Sequence, residues 1–288
     1  MDESRILITG ANGQLGTALK QRFPDAIATD RSVLDISDPE SVAHFDWSKI
    51  DIVLNAAAYT NVDGAETLEG RQAAWKGNAN AASYLAQAAV VHDITLVHFS
   101  SEYVFDGTRT PHTELEPLTP LGVYAQSKAA GDLAISVAPK HYILRTSWVI
   151  GEGKNFVHTM IMLASKDVSP TVVGDQIGRP TFTGTLADAV QLLLSTGAAS
   201  GIYNVTNGGE PASWADVTRA IFKELGRDDL TVTDTTTAEY FANKPEAAPR
   251  PLHSEMDLTK VKTAGLKLRD WRDDLHTYIE QEHTKEQA

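Results

Sequence analysis

Apolar residues along the first half of the chain come in short continuous runs, and helical stretches with a polar side fall between them. Residues 5–9 read as a buried strand and 14–22 as a helix. Strands follow at 26–29 and 50–55, and a long helix at 70–92. Residues 95–100 form another strand, 123–137 a helix and 142–146 a further strand. Continuous Ile/Val/Leu runs suit strands covered on both faces. Their alternation with helices predicts an α/β fold built on a doubly wound parallel sheet.

Beyond about residue 150 the rhythm changes. Residues 155–166 read as a helix, 171–173 as a short strand, 185–195 as an amphipathic helix and 201–205 as a strand. A helix over 213–225 has Ser213 placed to cap it. Residues 231–256, rich in Thr, Pro and Ala, read as a structured loop, and the polar tail 280–288 as frayed. The pattern divides the chain into a dinucleotide-binding lobe, 1–150 with 180–207, and a smaller α/β substrate-binding lobe, 151–179 with 208–288.

Composition narrows the chemistry. The 288 residues carry a net charge of −13, which repels a polyanion, so nucleic acid is not an expected partner. With no cysteine, disulfides, thiolate zinc sites and thiol nucleophiles are excluded, and a reducing compartment, the cytoplasm, is the expected location. No signal peptide is evident, and no apolar run approaches the roughly 20 residues that span a bilayer, so no membrane association is expected.

The first strand runs into Gly10-Ala11-Asn12-Gly13-Gln14-Leu15-Gly16. Glycines here let the backbone turn tightly and approach a pyrophosphate, with a helix N-terminus facing its charge. Asp30 comes after the second strand, where a ribose-binding carboxylate is expected. A Rossmann dinucleotide site follows from the loop and the acid together. Asp30 favours NADH, because its charge opposes a 2′-phosphate; Arg31 either pairs with that phosphate or is a solvated surface charge. The choice between NADH and NADPH stays open.

Tyr124 and Lys128 are spaced i, i+4 on a predicted helix and share a face. A free tyrosine titrates at about 10. A nearby ammonium and a cationic nicotinamide should draw it down toward the working pH, as acid–base catalysis requires. Ser101 ends the preceding strand, where its hydroxyl can polarise the same carbonyl.

The glycine loop with Ser101, Tyr124 and Lys128 resembles the extended short-chain dehydrogenase/reductase family. More specific strings are 55–63 (NAAAYTNVD), 100–107 (SSEYVFDG), 145–149 (RTSWV), 175–181 (DQIGRPT) and Arg250-Pro251. In order and spacing they resemble the dTDP-4-dehydrorhamnose reductases of that family, over nearly the whole chain. The resemblance implies a dTDP-sugar substrate whose C4 ketone is reduced by NADPH or NADH. Tyr124 would protonate the developing alkoxide, Lys128 would lower the Tyr124 pKa and hold the nicotinamide ribose, and Ser101 would bond the carbonyl oxygen. It extends the cofactor set, Gly10, Gly13, Gly16, Asp30 and Arg31, to Asn12, Gln14, Leu15, Asp35, Ala56, Ala57, Ala58, Thr60 and Asn78. For the substrate it implies Thr60, Ser101, Tyr103, Trp148, Asn155, Gln176, Arg179 and Arg250. Packing, capping or a surface ion pair is the alternative role at several of these.

Some relatives dimerise through a metal held by glutamates. The matching positions here are Ala18 and Gly184, which cannot ligate, so no metal and a monomer are expected. Two other readings share the fold. A sugar-nucleotide dehydratase would carry an Asp-Glu pair beside the active-site hydroxyl, and here Glu102 is followed by Tyr103; a 4-epimerase would recycle bound cofactor with no net consumption. A non-catalytic nucleotide-binding regulatory subunit would not need Ser101, Tyr124 and Lys128 intact.

Overall fold

In a computed structural model of the chain, which describes residues 1–286, six strands form one parallel sheet. They are β1 (Ile6–Thr9), β2 (Ile27–Ala28), β3 (Ile52–Asn55), β4 (Thr95–Ser101), β5 (His141–Thr146) and β6 (Gly201–Asn204). The order is β6-β5-β4-β3-β1-β2, with every neighbouring pair parallel. The chain leaves β1 for β2 on one side and returns to β3 on the other. The switch in winding direction therefore lies between β1 and β3, where ligands of open α/β sheets bind.

Side chains alternate across the sheet with a period of two. Ile6, Ile8, Leu54, Val97, Phe99 and Leu144 face one side, together with residues of α1 (Gln14–Arg22) and α7 (Thr183–Thr196). Leu7, Val53, Leu96 and Ile143 face the other, against α4 (Ala81–His92) and the end of α5 (Val123–Ile135). Fully burying each such side chain contributes about 1.5–3 kcal/mol, so the two clusters hold the sheet between its helix layers.

The long helix expected over 70–92 is α3 (Leu68–Ala74) running into α4 through a π-helical turn at Trp75–Asn80. Thr67 caps its start by accepting from the Gly70 N–H. A short helix at Pro39–His44, α2, was not expected; Asp38 caps it and Pro39 opens it.

A third cluster lies in the C-terminal part. Ile150, Val157, Met160, Val217, Ile221, Phe222, Trp271 and Leu275 join α6 (Phe156–Ser165), α8 (Trp214–Glu224) and α11 (Trp271–Glu286). Ser213 caps α8 in a reciprocal capping box with Asp216. Two expectations are corrected here. Residues 231–256 are not all loop: Thr233–Thr235 pairs in parallel with Thr171–Val173, and α9 (Thr237–Phe241) starts from a Thr236/Glu239 capping box. Residues 280–286 are not frayed but continue α11, because Trp271, Leu275, Tyr278 and Ile279 form a buried stripe at helical spacing. Residues 287 and 288 lie outside the described part. From α10 (Thr259–Thr263) and the turn after it, Val261 and Leu266, with Leu258 just before, return to the first cluster.

The stretch 247–256 straps the two parts together. The Ala248 N–H and the Arg250 guanidinium both donate to Asp63, Glu255 accepts from Thr110 and Arg179, and Met256 bridges to His112.

Candidate active site

At the switch between β1 and β3 opens a cavity of about 620 Å³. Gly10, Asn12, Gly13, Asp30, Arg31, Asp35, Ala56, Ala57, Ala58 and Thr60 line it, together with Tyr59 and Lys76. Gly10 is left-handed (φ 66°), and a Cβ there would lie 2.6 Å from the Ala57 Cα. A Cβ on Gly16 would run into the Gly10 carbonyl oxygen. The α1 N-cap is Gly13, which offers no side-chain bond, and the first turn carries no acid. The first-turn N–H groups and the helix dipole thus suit an anion brought close to bare backbone. This cradle fits a dinucleotide pyrophosphate.

Of the other cofactor candidates, Leu15 packs against the first core cluster. Gln14 accepts from the Gly151 N–H and donates to the Lys154 carbonyl, tying the loop to the chain beyond β5. Asn78 exchanges two hydrogen bonds with the Tyr59 backbone and donates to Ser127.

Two acids and two bases share the outer rim. Asp30 accepts from the Ser32 N–H and hydroxyl and from Asn12, which holds its carboxyl below the usual range. Asp35, although partly desolvated, is also held low, by Ser37 and by the charges of Arg31 and Lys76. Arg31 and Lys76 thus both lie within electrostatic reach of Asp35 on the cavity rim.

The second half of the site lies at the end of β4. The Ser101 hydroxyl donates to Glu102 Oε2 at 2.7 Å and accepts from the Tyr103 N–H at 3.2 Å. Tyr124, in the first turn of α5, has its phenol close enough to Ser101 for that hydroxyl to favour the phenolate, against the stronger effect of burial. Its ring meets Tyr103 edge to face at 5.9 Å and packs against the Ala65/Ala74/Val123 cluster, as does Tyr59, which also lines the cavity. The start of α5 is anchored by Glu66, which accepts from the Val123 N–H at 2.8 Å. Lys128 is buried one turn on and donates to the Phe99 carbonyl at 2.6 Å.

Electrostatics here depart from expectation. The Tyr124 phenol is not drawn down; burial and the neighbouring Glu102 and Tyr103 push it well above the usual tyrosine range. The Lys128 ammonium is lowered to about 8 by burial, against the opposing pull of Asp132. Asp132 itself pairs with Arg145 at 2.9 Å, both 2% exposed. Beneath the cavity, Thr9 donates to Asn55 and Asn55 to His98 Nδ1. Burial and the Lys128 charge keep His98 neutral, its pKa well below the usual histidine range.

The substrate candidates scatter more widely. Thr60 is exposed at the cavity mouth. Trp148 leaves β5 with φ 47° and stacks on Trp214 at 3.8 Å. Arg250 bonds Asp63 and the Ala248 carbonyl, stacks on Phe241 and reaches Tyr103. Arg179 is spread over the Gly209 and Met256 carbonyls and Glu255. Gln176 donates to Thr237. Asn155 caps α6 and bonds the Gly151 and Gly153 carbonyls and Tyr278.

Three residues of the site were not singled out from the sequence: Glu102, Tyr59 and Lys76. Tyr59 sits inside the quoted 55–63 string. Lys76 faces the cavity from the π turn, whose shifted register a simple helical wheel does not give. Glu102 had no signal apart from its place beside Ser101.

Among the described residues, no group of three or more His, Asp or Glu is placed to hold a metal, and no helix is long and apolar enough to cross a membrane. A family model described as the RmlD substrate binding domain matches residues 4–284. A dTDP-4-dehydrorhamnose reductase from Aggregatibacter actinomycetemcomitans is 41% identical over 93% of this chain and 96% of its own length. The crystal structure of a Clostridium acetobutylicum dTDP-4-dehydrorhamnose reductase superposes with a TM-score of 0.90 at 37% identity, covering 96% of this chain and 99% of that one. The Bacillus anthracis dTDP-4-dehydrorhamnose reductase, solved in complex with NADP, gives 0.88 at 33% identity, with coverages of 96% and 99%. A glycine cradle at the sheet's switch point, a serine–tyrosine–lysine cluster beside it and a match running almost end to end place this chain in the RmlD substrate-binding family.

Proposed function

We propose that the chain reduces the C4 ketone of dTDP-4-dehydro-L-rhamnose (dTDP-6-deoxy-L-lyxo-4-hexulose) to give dTDP-L-rhamnose, with NADPH or NADH as reductant. The observation that carries this reading is the placing of Ser101 and Tyr124 at the end of β4, with Tyr124 packed on the same Ala65/Ala74/Val123 cluster as Tyr59, which lines the dinucleotide cradle.

When bound, the nicotinamide supplies a hydride to C4. The chain supplies the rest. Tyr124 holds its proton firmly, which suits a donor to an oxygen that becomes an alkoxide. Ser101 offers that oxygen a hydrogen bond, stronger as charge develops there. Lys128, one turn along α5 and fixed on the Phe99 carbonyl, holds the nicotinamide ribose. Thr60, Tyr103 and Trp148 surround the sugar, and Arg250, with Arg179, Gln176 and Asn155, serves the nucleotide diphosphate end. The loop of Gly10, Asn12, Gly13, Gln14, Leu15 and Gly16 binds the pyrophosphate. Ala56, Ala57, Ala58 and Asp35 line the dinucleotide crevice, and Asn78 supports Tyr59.

The lobes are taken as 1–150 with 180–207 for the cofactor and 151–179 with 208–288 for the sugar nucleotide, α10 packing back on the first. A monomer is the proposed state, and the cytoplasm, which holds nucleotide sugars and reduced nicotinamide, is the proposed location.

The direct test is incubation with dTDP-glucose and the upstream dehydratase and epimerase, following loss of absorbance from each reduced cofactor. Stoichiometric oxidation with formation of dTDP-L-rhamnose is expected; none above the minus-enzyme control rejects the assignment. Asp30→Ala is expected to weaken NADH binding more than NADPH binding in a fluorescence titration, because it removes a ribose partner and a charge that opposes a 2′-phosphate. Equal losses for the two cofactors refute the ribose contact.

A further inference from the structure

Ser101 has a single hydroxyl hydrogen, and it is already in use. It points at Glu102 Oε2, 2.7 Å away, inside a pocket that leaves Glu102 3% exposed. A hydrogen committed to a carboxylate is not available to a ketone. A serine oxygen has room for two acceptor contacts besides its one donor. The Tyr103 N–H takes one of them. If Glu102 carries a proton, its own O–H takes the other and the bond reverses. The Ser101 hydrogen then has no partner left on that side and is released toward Tyr124 and the crevice.

We propose that Glu102 is a positioning residue that acts through Ser101: its neutral carboxyl turns the Ser101 hydrogen toward the substrate ketone, and its carboxylate withdraws it. The inference rests on the reading of Ser101 as the ketone's hydrogen-bond donor. Glu102 takes up one proton from solvent in the switch and keeps it through the reaction; one hydrogen bond is exchanged for another, and Tyr124 remains the acid.

Both states are accessible near neutrality, since burial raises the Glu102 carboxyl to about 7 against the lowering effect of its bonds from Ser101 and Ser254. The groups around it come from every neighbouring segment: Tyr103 beside it, Tyr124 on α5, and Ser254 on the strap. Arg250 and Asp63 lie behind Tyr103, and Lys128 and Asp132 further along α5. The carboxyl titrates higher in the folded chain than in the unfolded one. The neutral, productive form is therefore the low-pH form, lost as pH rises through about 7.

The test compares kcat at saturating substrate and cofactor across pH for the wild type, Glu102→Gln, Ser101→Ala and the double variant. A glutamine amide never titrates, so whichever bond it makes with Ser101 is the same at every pH. The wild-type ratio of kcat at pH 6 to pH 8 is expected to be about tenfold, the change in the neutral fraction of a group titrating near 7. The Glu102→Gln ratio is expected to fall to about twofold, and Glu102→Gln to have no further effect in the Ser101→Ala background. A second readout needs no turnover. Subtracting the Glu102→Gln melting profile from the wild-type one should leave a stability loss between the ordinary glutamate range and about pH 7, flat above it. The proposal is overturned if Glu102→Gln keeps the tenfold ratio, if it alters Ser101→Ala, or if the melting difference does not depend on pH. A Ser101→Ala variant with the wild-type rate overturns the reading of Ser101 itself.

Discussion

Replacing Tyr124 with phenylalanine is expected to lower kcat by roughly 10²–10⁴-fold, the usual contribution of a positioned general acid, with little change in cofactor affinity. Only the hydroxyl is lost. The ring keeps its edge-to-face contact with Tyr103 and its packing on Ala65, Ala74 and Val123, so the start of α5 should hold its place. The structure gives the proton donor a definite character. A phenol held above its ordinary range does not release its proton to solvent, and gives it up only to a stronger base. The alkoxide that develops at the sugar C4 is such a base. Single-turnover kinetics with bound cofactor would check this; near-normal turnover in Tyr124→Phe would remove the acid role.

The second large effect concerns stability. Asp132 and Arg145 form a fully buried pair, with Arg145 also donating to the Glu114 carbonyl and lying over the Phe105 ring. Removing one partner of such a pair leaves a buried charge and typically costs about 3–5 kcal/mol. The two halves should not be equivalent. Asp132 is already raised by burial, so once orphaned by Arg145→Met it can take up a proton and become neutral. Arg145 has no such escape, because a guanidinium does not deprotonate in proteins. Asp132→Leu is therefore expected to be the more damaging, by up to about 5 kcal/mol, a large share of a typical folding free energy. The Arg145→Met cost should shrink as pH falls and Asp132 is protonated. Urea unfolding of both variants at two pH values would decide it; equal, pH-independent losses would show that the pair's charges are not the issue.

Much of the frame was legible before any coordinates. Ser213 was identifiable as a cap because its side chain acts on the next turn, and Thr171–Val173 as a strand from three residues. The strand-loop-helix of the nucleotide site was readable for the same reason: the turn at Gly10 is a backbone demand met by one residue. What escaped lay in sparse or polar segments. The Thr236/Glu239 box that opens α9 was present in the letters, but the Thr-rich composition around it masked it. Among its described residues the C-terminal helix carries four buried ones in a mostly charged sequence, and only packing with α6 and α8 makes them a stripe.

The site divides in the same way. Ser101, Tyr124 and Lys128 could be named from their types and spacing, and the lining of the cavity from the glycine loop and the 55–63 string. Their electrostatics could not. The expectation that Lys128 would draw the phenol down assumed the two groups acted on each other in a polar site. The ammonium is instead spent on the Phe99 carbonyl, and Glu102 adds charge from the other side. Arg179 and Asn155 likewise hold bonds to distant backbone that no local pattern announces.

By itself, then, the amino-acid order determined the alternation of strands and helices, the phosphate-binding turn and the identity of the reacting side chains. Each of these depends on neighbours a few residues apart, through periodicity, capping and backbone freedom. Tertiary structure alone decided which hydrogen bonds those side chains make, how deeply Glu102, Lys128 and Asp132 are buried, and so which of them carry charge. Desolvation is set by everything packed around a group, and the segments that bury Glu102 include a strap that the chain reaches only near its end.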